Sequence, residues 1–166
     1  MTAAALTVGC AGQSPGGGTV DEQQATLAAR PTIDEMTAQY EQMQAELRQR
    51  LVDEIGVTEW VKISELSGSG CGDFSDVPTA ESRRLASWGS EGNLPDDRWP
   101  QAQAIATEVT GDYGFAPPET IVDRPGSHRI VGTDQYGATY EFGTINNTSI
   151  GVSTGCHRNP PGSPPP

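Results

Sequence analysis

Apolar residues recur along this chain with two periods, and each period predicts a different kind of element. Ile33, Met36, Tyr40, Met43, Leu47, Leu51 and Ile55 are spaced by three and four residues, the stripe of an amphipathic helix. Thr32 followed three residues later by Glu35 is a capping box, and Gly56 supplies a stop, so the spacing predicts a long helix over 32–55. Arg48 and Arg50 lie in its second half, where they complement the helix dipole. At about three heptads the stripe is at the lower limit for a coiled coil, so the reading is a helix packed on a sheet.

Beyond it the period changes. Trp60-Val61-Lys62-Ile63-Ser64-Glu65-Leu66 alternates, as a half-buried strand does, and Ser67-Gly68-Ser69-Gly70 reads as a turn into Cys71. Two shorter helices are expected. One covers about 79–88, around Leu85 and Trp88; the other covers about 96–111, around Trp99, Ala102, Ile105, Ala106 and Val109, with Asp96 and Asp97 in its first turn. The last third alternates again in Ser127-His128-Arg129-Ile130-Val131-Gly132, Ala138-Thr139-Tyr140-Glu141-Phe142-Gly143 and Thr148-Ser149-Ile150-Gly151-Val152-Ser153-Thr154. Thr133-Asp134-Gln135-Tyr136-Gly137 and Asn146-Asn147 are the turns between them. The expected fold is therefore α+β: a long N-terminal helix plus two shorter helices on a small antiparallel sheet of three to four strands, with 60–66 as the candidate fourth.

The two ends lack such patterns. Residues 10–31, with Gly16-Gly17-Gly18 and Asp21-Glu22-Gln23-Gln24, read as a flexible tether, and 158–166 as a disordered Pro-rich tail. The domain is expected over 32–157.

Composition narrows the partners. The 166 residues carry a formal net charge of -12, with hydrophobic residues at 34%. Nucleic acid is excluded as a partner, because phosphate binding needs clustered Lys and Arg. The same acidity opposes flat docking on anionic lipid. No stretch approaches the ~20 apolar residues of a membrane span.

Membrane attachment is instead expected through Cys10. It closes the small apolar run Ala3-Ala4-Ala5-Leu6-Thr7-Val8-Gly9 and opens the tether, the arrangement of a lipobox whose cysteine is lipidated. Residues 1–9 then form a truncated-looking leader. Lys and Arg are missing before Arg30 and Thr7 is a poor residue for its position, which a start inside the natural signal explains. The competing reading is an incidental thiol. With Cys10 assigned to lipid, Cys71 and Cys156 are the remaining pair, and in an exported protein an even remainder reads as a disulfide. It would close a loop of about 86 residues, worth about 4–5 kcal/mol in the chain-entropy model. Two free thiols are the alternative.

The order of landmarks resembles a family. A leader cysteine, a long helix, Trp60, Gly70-Cys71-Gly72-Asp73-Phe74, Trp99 opening a helix, a hairpin around Tyr136-Gly137-Ala138, and Thr154-Gly155-Cys156 look like the LppA-like lipoproteins of actinobacteria. The resemblance covers about residues 10–157 and implies an envelope lipoprotein with a disulfide and no assigned activity.

Catalytic patterns are weak. Gly151-Val152-Ser153-Thr154-Gly155 fits the G-x-S-x-G elbow, but that motif needs a following helix, and Cys156-His157-Arg158-Asn159-Pro160-Pro161 cannot form one. No Asp or Glu follows Ser153. His128, His157, Cys71 and Cys156 could supply zinc ligands, yet they lack ligand spacing, and a disulfide would consume both thiols. Asp73 and Asp76, or Asp96 and Asp97, lack the oxygen ladder of a calcium loop. At least two of Trp60, Trp88 and Trp99 are expected in the core rather than on a recognition platform.

The sequence is thus read as a non-enzymatic envelope lipoprotein with no cofactor, anchored by Cys10 at the extracytoplasmic face of the cell membrane. Its expected partner is a small apolar ligand or an envelope protein. The alternatives are an accessory or scaffold subunit and, behind it, a hydrolase.

Overall fold

A computed structural model of the protein describes residues 18–160 and 162. Its longest helix, α2 (Ile33–Arg50), starts where the capping box dictates. The Glu35 backbone N–H donates to the Thr32 hydroxyl, and the Glu35 carboxylate accepts from the Thr32 N–H at 2.7 Å. A π-helical turn, Leu51–Ile55, carries the helix on to Gly56, whose left-handed backbone (φ 87°) ends it. The stripe does what its spacing predicts: Met36, Tyr40, Met43, Leu47 and Leu51 are all buried.

Those side chains meet a sheet. Strands β1 (Val61–Lys62), β2 (Ser67–Gly70), β3 (Ala80–Arg84), β4 (Trp88–Glu91), β5 (Glu119–Arg124), β6 (Ser127–Thr133), β7 (Thr139–Thr144), β8 (Asn147–Ser153) and β9 (His157–Arg158) form one nine-stranded sheet. Its main path runs β1-β4-β8-β7-β6-β5, and β3 branches from β8 to carry β2 and β9. Every named strand pair is antiparallel. On β6, β7 and β8 alternate residues are buried, and Ile130, Tyr140, Phe142, Ile150 and Val152 join α2 and helix α3 (Trp99–Asp112) in one core. The ring of Tyr140 covers Gly132 on the neighbouring strand, where a Cβ would collide with it. The helices thus share one face of the sheet, and Glu141 and Thr139 point from the other into solvent.

A second, smaller core lies apart. Leu27 from helix α1 (Val20–Ala28), Cys71, Phe74 from the short 3₁₀ turn Gly72–Phe74, Val77 and Ala80 pack together, with Cys156 against them.

The architecture departs from the expectation of a long leading helix and a small sheet of three to four strands. The domain opens with α1, a nine-residue helix capped by Thr19 and Glu22, inside the stretch read as a tether. Its apolar content is too thin to show a period, and Leu27 is buried only because the second core exists to receive it. The sheet has nine strands, not three to four. Residues 79–88 form β3 and the entry to β4 instead of a helix: Ala80–Arg84 is flanked by β2, β8 and β9, and the Leu85 N–H donates to the Val152 carbonyl. Neighbouring strands here override local preference, as they commonly do.

Ser67–Gly70, read as a turn, is the strand β2, with every residue exposed and held by ladder bonds to β3. The alternation over 60–66 yields only the two-residue β1, and Val61 and Ile63 are more than half exposed. Strand β5 had no signal beyond a mixed polar run. Asp96 and Asp97 precede α3, whose first turn holds Pro100 and no acid. Past Cys156 the chain continues as β9, and the Asn159 N–H donates to the Thr79 carbonyl, so the ordered domain extends beyond 157.

Candidate functional site: a cleft around Arg30

Arg30 follows α1 directly, ahead of Pro31, so the turn between the two helices points its side chain at the second core. The guanidinium lies over the ring of Phe74, 5.3 Å from its centroid, and over that of Tyr136 at 5.7 Å. Its Nη1 donates to the Cys156 carbonyl at 2.8 Å and to the Tyr136 carbonyl at 3.4 Å. A cavity of about 280 Å³ opens here, lined by Arg30, Asp73, Phe74, Ser82, Gln135, Tyr136 and Cys156 among others. Burial pulls Arg30 below the usual guanidinium range, against the opposing pull of Asp134.

The floor is held by Asp134. One carboxylate oxygen accepts from the Tyr136 and Ala138 backbone amides at 2.8 and 2.7 Å, bracing the β6–β7 hairpin loop. The other accepts from the buried Tyr40 hydroxyl of α2. Burial first, and then Asp134, push the Tyr40 phenol far above its ordinary range, so it remains a donor. Gly155 lies so close to the Tyr136 carbonyl that a Cβ could not fit between them. His157 lies behind Tyr136, edge-on to its ring, with its buried Nδ1 at 2.9 Å from the Pro31 carbonyl. Burial lowers the His157 pKa, and Arg30 adds to the effect, while the Pro31 carbonyl and Asp134 oppose it. The ring is therefore neutral near pH 7, with its proton on Nδ1 and its Nε2 buried without a partner among the described residues.

Another cavity of about 280 Å³ lies beyond the end of α2, lined by Ile55, Val57, Glu59, Ser90, Glu91, Leu94 and Arg98 among others. Glu59 has a positive φ of 61° there, and the Ser90 hydroxyl donates to the Thr58 carbonyl at 2.7 Å. The Arg98 guanidinium is held by the Glu54 carbonyl at 2.9 Å. A smaller hollow of about 190 Å³ sits on the uncovered sheet face, between Ile63, Arg84, Glu141 and Ser153.

The fold and its sequence landmarks have relatives. A family model named LppA, described as a lipoprotein confined to pathogenic Mycobacterium, matches residues 9–159. The chain belongs to the LppA family. Among solved structures, the putative lipoprotein LppA of Mycobacterium tuberculosis is similar at a TM-score of 0.61 and 11% identity, covering 89% of this chain and 95% of that one. A DUF4853 family protein of Actinomyces odontolyticus is similar at a TM-score of 0.61 and 17% identity, covering 84% of this chain and 75% of that one. At these identities the likeness shows the fold alone. No curated protein matches the chain.

In this LppA-family domain the sequence-predicted residues fall in separate places. Cys10 lies outside the described residues. Cys71 and Cys156 are bonded, with Cα atoms 5.9 Å apart, and the bond forms one edge of the second core. Ser153 ends β8 and is followed by an extended chain into β9, not by a helix. It has no hydrogen bond to a histidine among the described residues, whose two histidines lie elsewhere. His128 is buried against Trp99, with Nδ1 2.8 Å from Asp123 and Nε2 3.0 Å from Asp96. The Gly126 N–H and then His128 hold the Asp96 carboxyl below its usual range.

No group of His, Cys, Asp or Glu able to hold a metal ion occurs among the described residues, and none of their helices is long and apolar enough to cross a membrane. Trp99 is buried in the main core, Trp60 packs half-buried against it, and Trp88 lies under Arg48 at 3.6 Å. Sequence reasoning missed Arg30, Phe74, Asp134 and Tyr136. The one local signal was Asp134 placed three residues before Gly137, a turn signature that says nothing of what the turn faces.

Proposed function

We propose that this LppA-family protein is carried on a lipidated Cys10 at the extracytoplasmic face of the cell membrane and is a non-enzymatic binding domain, with the Arg30 cleft as its ligand seat. The observation that carries the binding reading is the cavity itself: a half-buried cation, two aromatic rings and uncommitted polar groups converge on it. Catalysis finds less support, since His128 lies between two carboxylates, His157 is buried on a carbonyl, and neither meets a nucleophile among the described residues.

The docking of α1 shortens the distance to the proposed anchor. A link running to residue 31 would reach about 75 Å fully extended, whereas from Cys10 to Gly18 the limit is about 29 Å. The cleft, one short helix further on, therefore works close to the membrane surface. Metabolic labelling with a fatty-acid analogue tests the anchor: label on the wild-type protein and none on Cys10→Ala is expected, and equal label on both overturns it.

A second reading, an accessory subunit docking an envelope protein, rests on Val61, Ile63 and Leu66. These are 57%, 59% and 41% exposed around the edge strand β1. In-cell crosslinking from a photoreactive residue at position 61 tests it, with one discrete adduct expected.

A further inference from the structure

With 22 acidic residues against 10 basic ones, carboxylates are plentiful. Arg50, Lys62, Arg83 and Arg129 all pair with Asp or Glu within 4 Å. Arg30 is half-buried and, like Arg48 over Trp88, has no such partner among the described residues, but Arg30 lines the cleft. Asp134 is near enough to influence it, but its oxygens are turned to the Tyr40 hydroxyl and to two backbone amides. A half-buried charge without a counter-charge is partly desolvated, so an anion that reaches it gains more than one at an open surface cation.

Geometry restricts what that something is. Phe74 and Tyr136 lie against the guanidinium, which leaves its in-plane edges for hydrogen bonding, and Nη1 is already held by two carbonyls. Nε and Nη2 have no partner among the described residues. Two in-plane donors match the two oxygens of a carboxylate. The same cavity is lined by Asp73, which pairs with no Lys or Arg among the described residues, and by Gln135. A plain anion would meet Asp73 and the field of a -12 protein, whereas a ligand bearing both charges meets neither penalty. At about 280 Å³ the space is at the small end of ligand sites.

We infer that the Arg30 cleft binds a small zwitterion of amino-acid size, its carboxylate on Arg30 and its ammonium toward Asp73. This rests on the cleft being the ligand seat, and it is independent of the lipid anchor, which the fatty-acid label tests separately.

The test is calorimetric titration of the full chain, disulfide intact, with glycine, L-alanine, D-alanine and L-serine, and with propionate and ethylamine as half-ligands. Saturable binding of at least one amino acid is expected, with each half-ligand weaker by about tenfold or more. Arg30→Gln should abolish binding, and Arg30→Lys, which keeps the charge and loses the fork, should weaken it by about tenfold. Asp73→Asn alters an exposed side chain, so it serves even if Arg30→Gln does not fold; it should weaken the amino acid and, with the repulsion gone, bind propionate at least as well as the wild type. Three results overturn the inference: no saturable binding by any of the four amino acids, propionate binding as well as its amino acid, or unchanged amino-acid affinity in folded Arg30→Gln or in Asp73→Asn. An amino-acid failure with propionate still bound through Arg30 would leave the cleft a ligand seat for simple carboxylates, whereas silence from every probe would count against the cleft itself.

Discussion

The two cores of this domain are assembled by different means. In the main one, α2 and α3 lay continuous apolar stripes over β6, β7 and β8, so that Tyr40, Phe115 and Tyr140 meet ring on ring at 5.2 Å and Trp99 stacks on Phe142 at 5.3 Å. In the second, Leu27, Phe74, Val77 and Ala80 come from three short segments with no stripe of their own, gathered around a half-buried disulfide. A nine-residue helix is below the ~12–15 residues at which helices become even marginally stable alone, so α1 depends on that gathering. Regular elements make the first core and long-range ties make the second. The Arg30 cleft belongs to the second, which places the proposed ligand seat on the part of the fold with the least intrinsic stability, as binding regions commonly are.

Breaking each core in turn sharpens the contrast. Phe142→Ala removes a fully buried ring from the main core and should cost about 3–5 kcal/mol in urea unfolding, with protection lost throughout the molecule. Replacing Cys71 and Cys156 together by Ser opens a tie across 85 residues and should cost about 4 kcal/mol. Hydrogen exchange should then show α1 and β9 opening well before β6–β8. Leu27→Ala should cost about 2 kcal/mol, and its exchange signature should be confined to α1 and the Phe74 turn. If instead β6–β8 lose protection in step with α1, the two cores are one cooperative unit and the comparison fails.

Smaller effects test the joint between the cores. Thr32→Ala deletes the cap of α2 and should cost about 1 kcal/mol. His157 gives the smallest and most specific one. Its folded pKa lies below the ordinary value near 6.5, so as pH falls below about 6.5 the unfolded chain takes up a proton that the folded one refuses. Stability should fall from pH 7 toward pH 5 and level off below the folded pKa. His157→Asn, which can still donate to the Pro31 carbonyl, should flatten that slope, as read from urea midpoints across the range.

Legibility in the sequence follows the same division. The helix over 32–55 could be read because its stripe, cap and stop agree, and the strands around Ile130, Phe142 and Ile150 because one face of each is buried. Strands β2 and β5 could not: Ser-Gly-Ser-Gly and Glu-Thr-Ile-Val-Asp-Arg carry no alternating burial, being exposed strands held by ladder bonds to β3 and β6. The stretch 79–88 misleads because Leu85 and Trp88 fall at a helical spacing while the neighbours that claim them are strands. Arg30, Phe74 and Tyr136 are far apart in the chain, so no motif could have joined them.

What the chain determines by itself is whatever its local period and residue chemistry encode: the capped amphipathic helix, the alternating strands and an acidic composition. Those signals are local because helical and extended backbones repeat within a few residues. Tertiary structure alone decided the nine-stranded sheet, the docking of α1, and the meeting of a guanidinium with two rings and a cavity. Strand partners, a short helix and an uncompensated charge acquire their stability only from residues brought in from elsewhere in the chain.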